Sequence, residues 1–92
     1  MSNIRIVKNE EASRYEAWEG EVLAGFAEYG IDGDVAEFPH TEVASEYGGK
    51  GVGSAIIAYA MADIGGRYSV RPTCPFVKAW IDKHPEAKIH TT

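Results

Sequence analysis

Between residues 45 and 64 the chain changes character abruptly. SEYGGKGVGS places four glycines within six residues, from Gly48 to Gly53, and AIIAYAMADI follows with neither glycine nor proline. The second stretch consists mostly of good helix formers, so the spacing predicts a helix starting near Gly51. A glycine-rich turn opening directly into a helix brings unpaired backbone N–H groups and the positive end of the helix dipole to one place. Glycine also permits positive φ and close approach of a ligand to the main chain, which suits a phosphate. The plain alternative is a flexible turn that binds nothing. The Walker spacing is not met, and no preceding βαβ unit exists to host a dinucleotide fingerprint.

The residues before this turn alternate with a period of two. Ile4 to Val7 reads as a short strand, and Arg14 to Trp18 sets Tyr15 and Ala17 on one face against Arg14 and Glu16 on the other. Residues 21–29 extend the pattern, with Val22, Ala24 and Phe26 expected on one face, and Gly30 with Asp32-Gly33 supplying turn chemistry. A further strand runs from about Val35 to Val43. Pro39 inside it cannot donate to a ladder, so the sheet is expected to bulge or splay there.

After the turn, Val52, Ile56, Ala60 and Ile64 recur at four-residue spacing, while Ile57, Tyr59 and Met61 widen the apolar surface, as in a helix covered on two sides. Gly65-Gly66 is the expected C-terminal cap. Tyr68 to Arg71, closed by Pro72, reads as a strand returning through a right-handed parallel crossover. Thr73 or Cys74 caps a second helix with Pro75 at its first position, Phe76 and Trp80 paired at i and i+4, and Pro85 as its stop. The tail from Glu86 to Thr92 is short and polar. The order βββ(β)αβα predicts one α+β domain over residues 1–92: an antiparallel meander, a βαβ crossover and a C-terminal helix.

Composition narrows the function classes. A formal net charge of −5 lacks the clustered Lys and Arg that phosphate neutralisation requires, so no nucleic-acid partner is expected, and a cationic substrate is favoured over an anionic one. One Cys and three scattered His (His40, His84, His90) give no zinc-ligand spacing, so no metal is expected. No apolar run has the length of a signal peptide or a membrane span, which predicts a cytoplasmic protein with no membrane partner. The single cysteine excludes an internal disulfide.

At this point the motifs carry a resemblance. HTEVASEYGGKGVGSAIIAYAM is similar to the acetyl-CoA-binding motif of GNAT acetyltransferases, whose loop reads Gln or Arg, any two residues, Gly, any residue, Gly or Ala. His40-Thr41-Glu42-Val43 before the loop, Pro72-Thr73-Cys74-Pro75-Phe76-Val77 after the helix and His84-Pro85 closing resemble the compact GNAT-like family of about ninety-residue chains, in the same order, over roughly residues 12–86. The position of the family's Gln or Arg falls on Gly48, so a side-chain contact from there is missing while a backbone cradle remains. The resemblance implies a truncated GNAT fold and an N-acetyltransferase. It implies that the coenzyme A pyrophosphate rests on Gly49, Lys50, Gly51, Val52, Gly53 and Ser54, that pantetheine runs along the splayed strand near Val43, and that the thioester carbonyl meets main-chain amides of residues 42 and 43. The acceptor would be an amine-bearing small molecule or a protein lysine. A coenzyme A or acyl-CoA binding module without turnover, or a protein-interaction domain, are the alternatives.

Three side chains are candidates for the chemistry. Cys74 precedes Pro75 at a helix start, where unpaired N–H groups and the dipole favour a thiolate, and the compact family's resemblance implies a catalytic cysteine in this motif. As a nucleophile it would give ping-pong kinetics; otherwise it lines the site, or is simply a small buried apolar residue. His40 and Glu42 share a strand face and could act as general base for an ammonium acceptor, or serve as a structural histidine and a solvated edge charge.

Overall fold

A computed structural model describes residues 3–92; Met1 and Ser2, the first two positions of the expected domain, lie outside the described residues. Strands β1 (Ile4–Asn9), β2 (Arg14–Glu19), β3 (Val22–Asp32) and β4 (Val35–Val43) form an antiparallel meander. The β3–β4 reversal falls at Gly33, whose φ of +62° is the left-handed conformation that glycine adopts without steric cost. A 3₁₀ turn (Ser45–Tyr47) and the glycine run lead to α1 (Val52–Ile64), and β5 (Ser69–Arg71) returns parallel to β4 at the sheet edge, giving the order β1-β2-β3-β4-β5. Helix α2 (Pro75–Lys83) follows, then a short 3₁₀ turn (Pro85–Ala87). This is the expected α+β architecture.

Helix α1 lies on one face of the sheet and touches α2 on its flank. Val52, Ile56, Ile57, Ala60, Met61 and Ile64 are buried against Tyr15, Ala17, Ala27, Ala36 and Phe38. Full burial of a Val- to Phe-sized side chain contributes about 1.5–3 kcal/mol, so this interface holds the two layers together. Tyr59, in contrast, is largely exposed, although its edge meets the Tyr15 ring at a centroid distance of 6.0 Å.

The structure corrects three local readings. Val22, Ala24 and Phe26 do not share a face: the β2–β3 register shifts between Ala17 and Trp18, where Gly25 and Leu23 are the successive partners, leaving Ala24 as an inserted residue. The bulge turns Ala24 and Ala27 into the core, while Phe26 lies outside with the Arg14 guanidinium 4.4 Å above its ring. Gly30 is inside β3, not in the turn. Trp80 stacks on His84, with ring centroids 4.2 Å apart, in place of pairing with Phe76. The tail is also ordered: the Val70 N–H donates to the His90 carbonyl and the Thr92 N–H to the Val70 carbonyl, so it pairs along the free side of β5.

The C-terminal end of α1 is fastened to the strands by one polar cluster. Tyr15 is fully buried and its hydroxyl needs a partner; it donates to Asp63 Oδ2 at 2.7 Å. A carboxylate near a helix C-terminus opposes the dipole, and cations offset this: Lys8 Nζ lies 3.0 Å from Asp63 Oδ2, and Arg67 Nη2 donates to the Asp63 carbonyl at 2.6 Å. The Tyr15 hydroxyl foremost, then Lys8, holds the Asp63 carboxyl below its ordinary range. A carboxylate with a depressed folded pKa stabilises the fold fully above its unfolded value, about 4, and loses that contribution as pH falls through the folded value. Asp63→Asn should therefore lower stability at neutral pH by about 1 kcal/mol, a figure kept small because the side chain is one-third exposed, and the gap from the parent should close in urea titrations run below pH 4.

Candidate functional site

The open half of β4 defines the site. The β4–β5 ladder covers only Val35 to Glu37 and ends at the Glu37–Arg71 pair. Just beyond it, Glu28 and Gly30 of β3 face His40 and Glu37, so Phe38 and Pro39 together oppose Tyr29 in a bulge. Pro39 sits where the sheet loses its neighbour, at the expected splay. Farther along, the Ala44 N–H donates to the Ala24 carbonyl. Hydrogen-bonded and non-bonded pairs alternate in an antiparallel ladder, so Thr41 and Val43 form non-bonded pairs with Ala27 and Gly25, and their N–H groups point away from β3 into the splay.

The glycine run forms the other wall. Tyr47 is buried, its hydroxyl donating to Glu19, whose carboxylate is the main cause raising the tyrosine's pKa. Gly51 takes the N-cap position of α1 in the left-handed conformation, φ +80°, and no side chain caps the helix. The first-turn N–H groups of Val52, Gly53 and Ser54 consequently have no partner within the helix. They border a cleft of about 460 Å³ lined by Thr41, Val43, Tyr47, the glycine run and Phe76. A Cβ at Gly53 would lie 2.8 Å from Phe76 Cζ, so the exposed Phe76 ring would have to shift to admit one.

Six of the seven residues expected to hold the cofactor line this cleft: Val43, Gly49, Gly51, Val52, Gly53 and Ser54. Lys50 does not; its ammonium lies 6.0 Å from the centre of the Tyr47 ring. Gly48, where the family's Gln or Arg side chain is missing, lines it too, as do Thr41, Tyr47 and Phe76, which were not expected to hold the cofactor. Thr41 alternates with Val43 on one strand face, a signal that was present; Phe76 stands in the motif of residues 72–77 but was expected to pair with Trp80.

Cys74 occupies the N-cap position of α2 and is only 6% exposed. Its N–H donates to the Phe38 carbonyl at 2.9 Å, which fastens the start of α2 to the splayed strand, and its Sγ lies 3.6 Å from Thr41 Oγ1 on the cleft wall. Burial pushes the thiol up, but the N–H of Val77, the Thr41 hydroxyl and the N–H groups of Phe76 and Thr41 together outweigh it, leaving the pKa below the ordinary thiol value. His40 and Glu42 contact each other at 3.1 Å, both exposed, on the opposite face of β4 from Thr41 and Val43; the His40 ring meets the edge of Phe26 at 6.1 Å. The structure thus places Cys74 behind Thr41, buried and not itself lining the cleft, and leaves the His40–Glu42 pair on the uncovered face of the sheet. Among the described residues no group of three His, Cys, Asp or Glu is arranged to hold a metal ion, and no helix is long and apolar enough to cross a membrane.

A meander, a parallel crossover through a glycine-capped helix and a strand pair splayed over the helix N-terminus define a truncated GNAT fold. The chain belongs to the GCN5-related N-acetyltransferase family: the model of a compact branch described as "GCN5-related N-acetyl-transferase" matches residues 14–90. Among solved structures, the fold is similar to that of a "putative acetyltransferase" from Deinococcus radiodurans R1, with a TM-score of 0.61 and 20% identity over 86% of this chain and 55% of that one. The present chain therefore spans about half the length of that relative. Curated proteins give no match.

The environment of Cys74 is directly testable. Thr41→Val removes the hydroxyl and keeps the shape, so the pH profile of iodoacetamide alkylation should move to higher pH, with an unchanged circular dichroism spectrum. An unmoved profile would show that the backbone N–H groups alone set the thiol's ionisation.

Proposed function

We propose that this protein binds acetyl-CoA and transfers its acetyl group to an amine. The observation that carries this reading is a single cleft that runs from the first-turn amides of α1 past Val43 to Thr41, directly behind which the Cys74 sulfur lies 3.6 Å from the Thr41 hydroxyl. Neutral main-chain donors at a helix N-terminus suit a diphosphate even on a chain with a net charge of −5. The Val43 N–H, turned into the splay, is a donor suited to polarising a thioester carbonyl.

In the reading favoured here, the Cys74 thiolate attacks that carbonyl. The new bond joins Sγ to the acetyl carbon, the bond to the coenzyme's sulfur breaks, and the coenzyme leaves as a thiolate. A neutral amine then attacks the acetyl-cysteine, an N–C bond forms, the cysteine sulfur leaves, and the amine's proton passes to solvent or to the departing thiolate. Direct attack of the amine on acetyl-CoA, with Cys74 as wall, is the simpler route. The acceptor class is a small amine or a protein lysine, which the protein's negative charge attracts at long range. The His40–Glu42 pair, facing away from the cleft, is given no part in the transfer.

That same placement favours a second reading, a coenzyme A binding module with little turnover, because no general base among the named candidates faces the cleft. Incubation with acetyl-CoA followed by intact-mass and peptide mass spectrometry separates the two. The transferase reading predicts an acetyl group on Cys74 or on added amines, and Cys74→Ala should lower turnover by about 10²-fold or more if the cysteine is covalent. Full turnover in both Cys74→Ala and Cys74→Ser leaves direct attack; no acetylated product on any amine leaves the binding module.

A further inference from the structure

The face of the sheet away from α1 is bare, yet it is not built like a solvated surface. In the pairing register Val7, Trp18, Leu23 and Phe26 project from it, each only half-buried, so an apolar strip crosses β1 to β3. Beside this strip lies a carboxylate, Glu16, that is only 4% exposed. The side chains of Asn9 and Trp18 donate to it at 3.0 Å, and Arg14 Nε donates at 2.6 Å. The Arg14 guanidinium in turn lies over the Phe26 ring. A carboxylate paired in this way can be covered without stranding a buried charge, which is the condition a closed interface imposes. Trp, Arg and large apolar side chains are also what the centre of an interface is made from.

We propose that this face is the interface of a symmetric dimer, and that a second copy of the same chain packs on it sheet to sheet. Charge selects that occupant. Arg5 on β1 stands at one side of the face, and Glu28 on β3 and Glu42 on β4 stand at the other. A two-fold axis running along the strands between β2 and β3 lays β1 over the partner's β4, so each side meets its opposite charge. Val7, Glu16, Phe26 and Glu42 occupy one rung of the sheet and Arg5 the next, so Arg5 falls about 7 Å along the strand from the partner's Glu42, within reach of an arginine side chain. The same axis sets Trp18 over the partner's Leu23, in the aligned packing of two twisted sheets. The molecule is a slab of 34 × 29 × 18 Å, so a broad side offers on the order of 800 Å², the area each partner contributes to a standard interface. A cationic peptide would match Glu28 and Glu42 but leave Arg5 and the apolar strip unmatched. The inference stands apart from the acetyl-CoA reading, because the cleft lies on the other face of the sheet.

Sedimentation velocity over a concentration series tests this. The parent should approach twice its chain mass of 10.0 kDa as concentration rises. Arg5→Glu and Glu42→Arg each set like charges against one another at both symmetry-related contacts, and each should weaken association on the order of a hundredfold while keeping the parent's circular dichroism spectrum. Mixed in equal amounts, the two variants should recover the dimer, since both contacts then join opposite charges. A parent that stays monomeric, including one that instead binds an oligolysine peptide, overturns the proposal. So does a dimer that neither variant weakens, or one that the mixture fails to restore.

Discussion

Strand β4 has two unlike halves, and the rest of the molecule is arranged around the point where they meet. From Val35 to Glu37 it has neighbours on both sides; beyond Pro39 the side that faced β5 is open. Proline cannot continue the ladder, and the bulge at Phe38–Pro39 bends the strand away from β5. The freed Phe38 carbonyl does not go unpaired, because the Cys74 N–H takes it and so fixes where α2 begins. One interruption in a ladder therefore creates the opening, turns the Thr41 and Val43 amides into it and sets Cys74 directly behind Thr41.

An opening of this kind is useful only if its opposite wall is held in place. Helix α1 supplies that wall, and its two ends are treated differently. The C-terminal end is bound to β1 and β2 by Asp63 through Lys8 and Tyr15, while the apolar face from Val52 to Ile64 is buried along its length. The N-terminal end carries no side-chain cap at Gly51, so its amides keep their hydrogen-bonding capacity for something outside the helix. A Ser or Asp at that position would satisfy those donors from within and gain local stability; glycine leaves them open.

Much of this order was readable from the residues because the signals were local. Pro39, the glycine run, Gly65-Gly66 and Pro75 each mark a break by their own backbone chemistry, and the structure places an element boundary or a bulge at each. What escaped was set by register, which no single residue announces. Period-two counting from buried Phe38 would put His40 and Glu42 on the core side with it; the extra residue in the bulge reverses the alternation, so Thr41 and Val43 face inward instead. The inserted Ala24 in β3 misleads in the same way. The tail's pairing with Val70 was hidden because a polar sequence gains its ladder from the edge it meets, not from its own pattern.

The distribution of charge gives the proposed chemistry a division of labour. A chain of net charge −5 repels a polyanionic coenzyme at long range and attracts a protonated amine. Capture of the anion must then depend on short-range donors that cost nothing to orient, and the first-turn amides of α1 meet that requirement, since folding has already fixed them. Lys50, the cation nearest the loop, rests over the Tyr47 ring and does not line the cleft, so the diphosphate would be read by geometry before charge. In the proposed reaction the acceptor, steered by the field of the whole surface, would need less of a pocket than the coenzyme does.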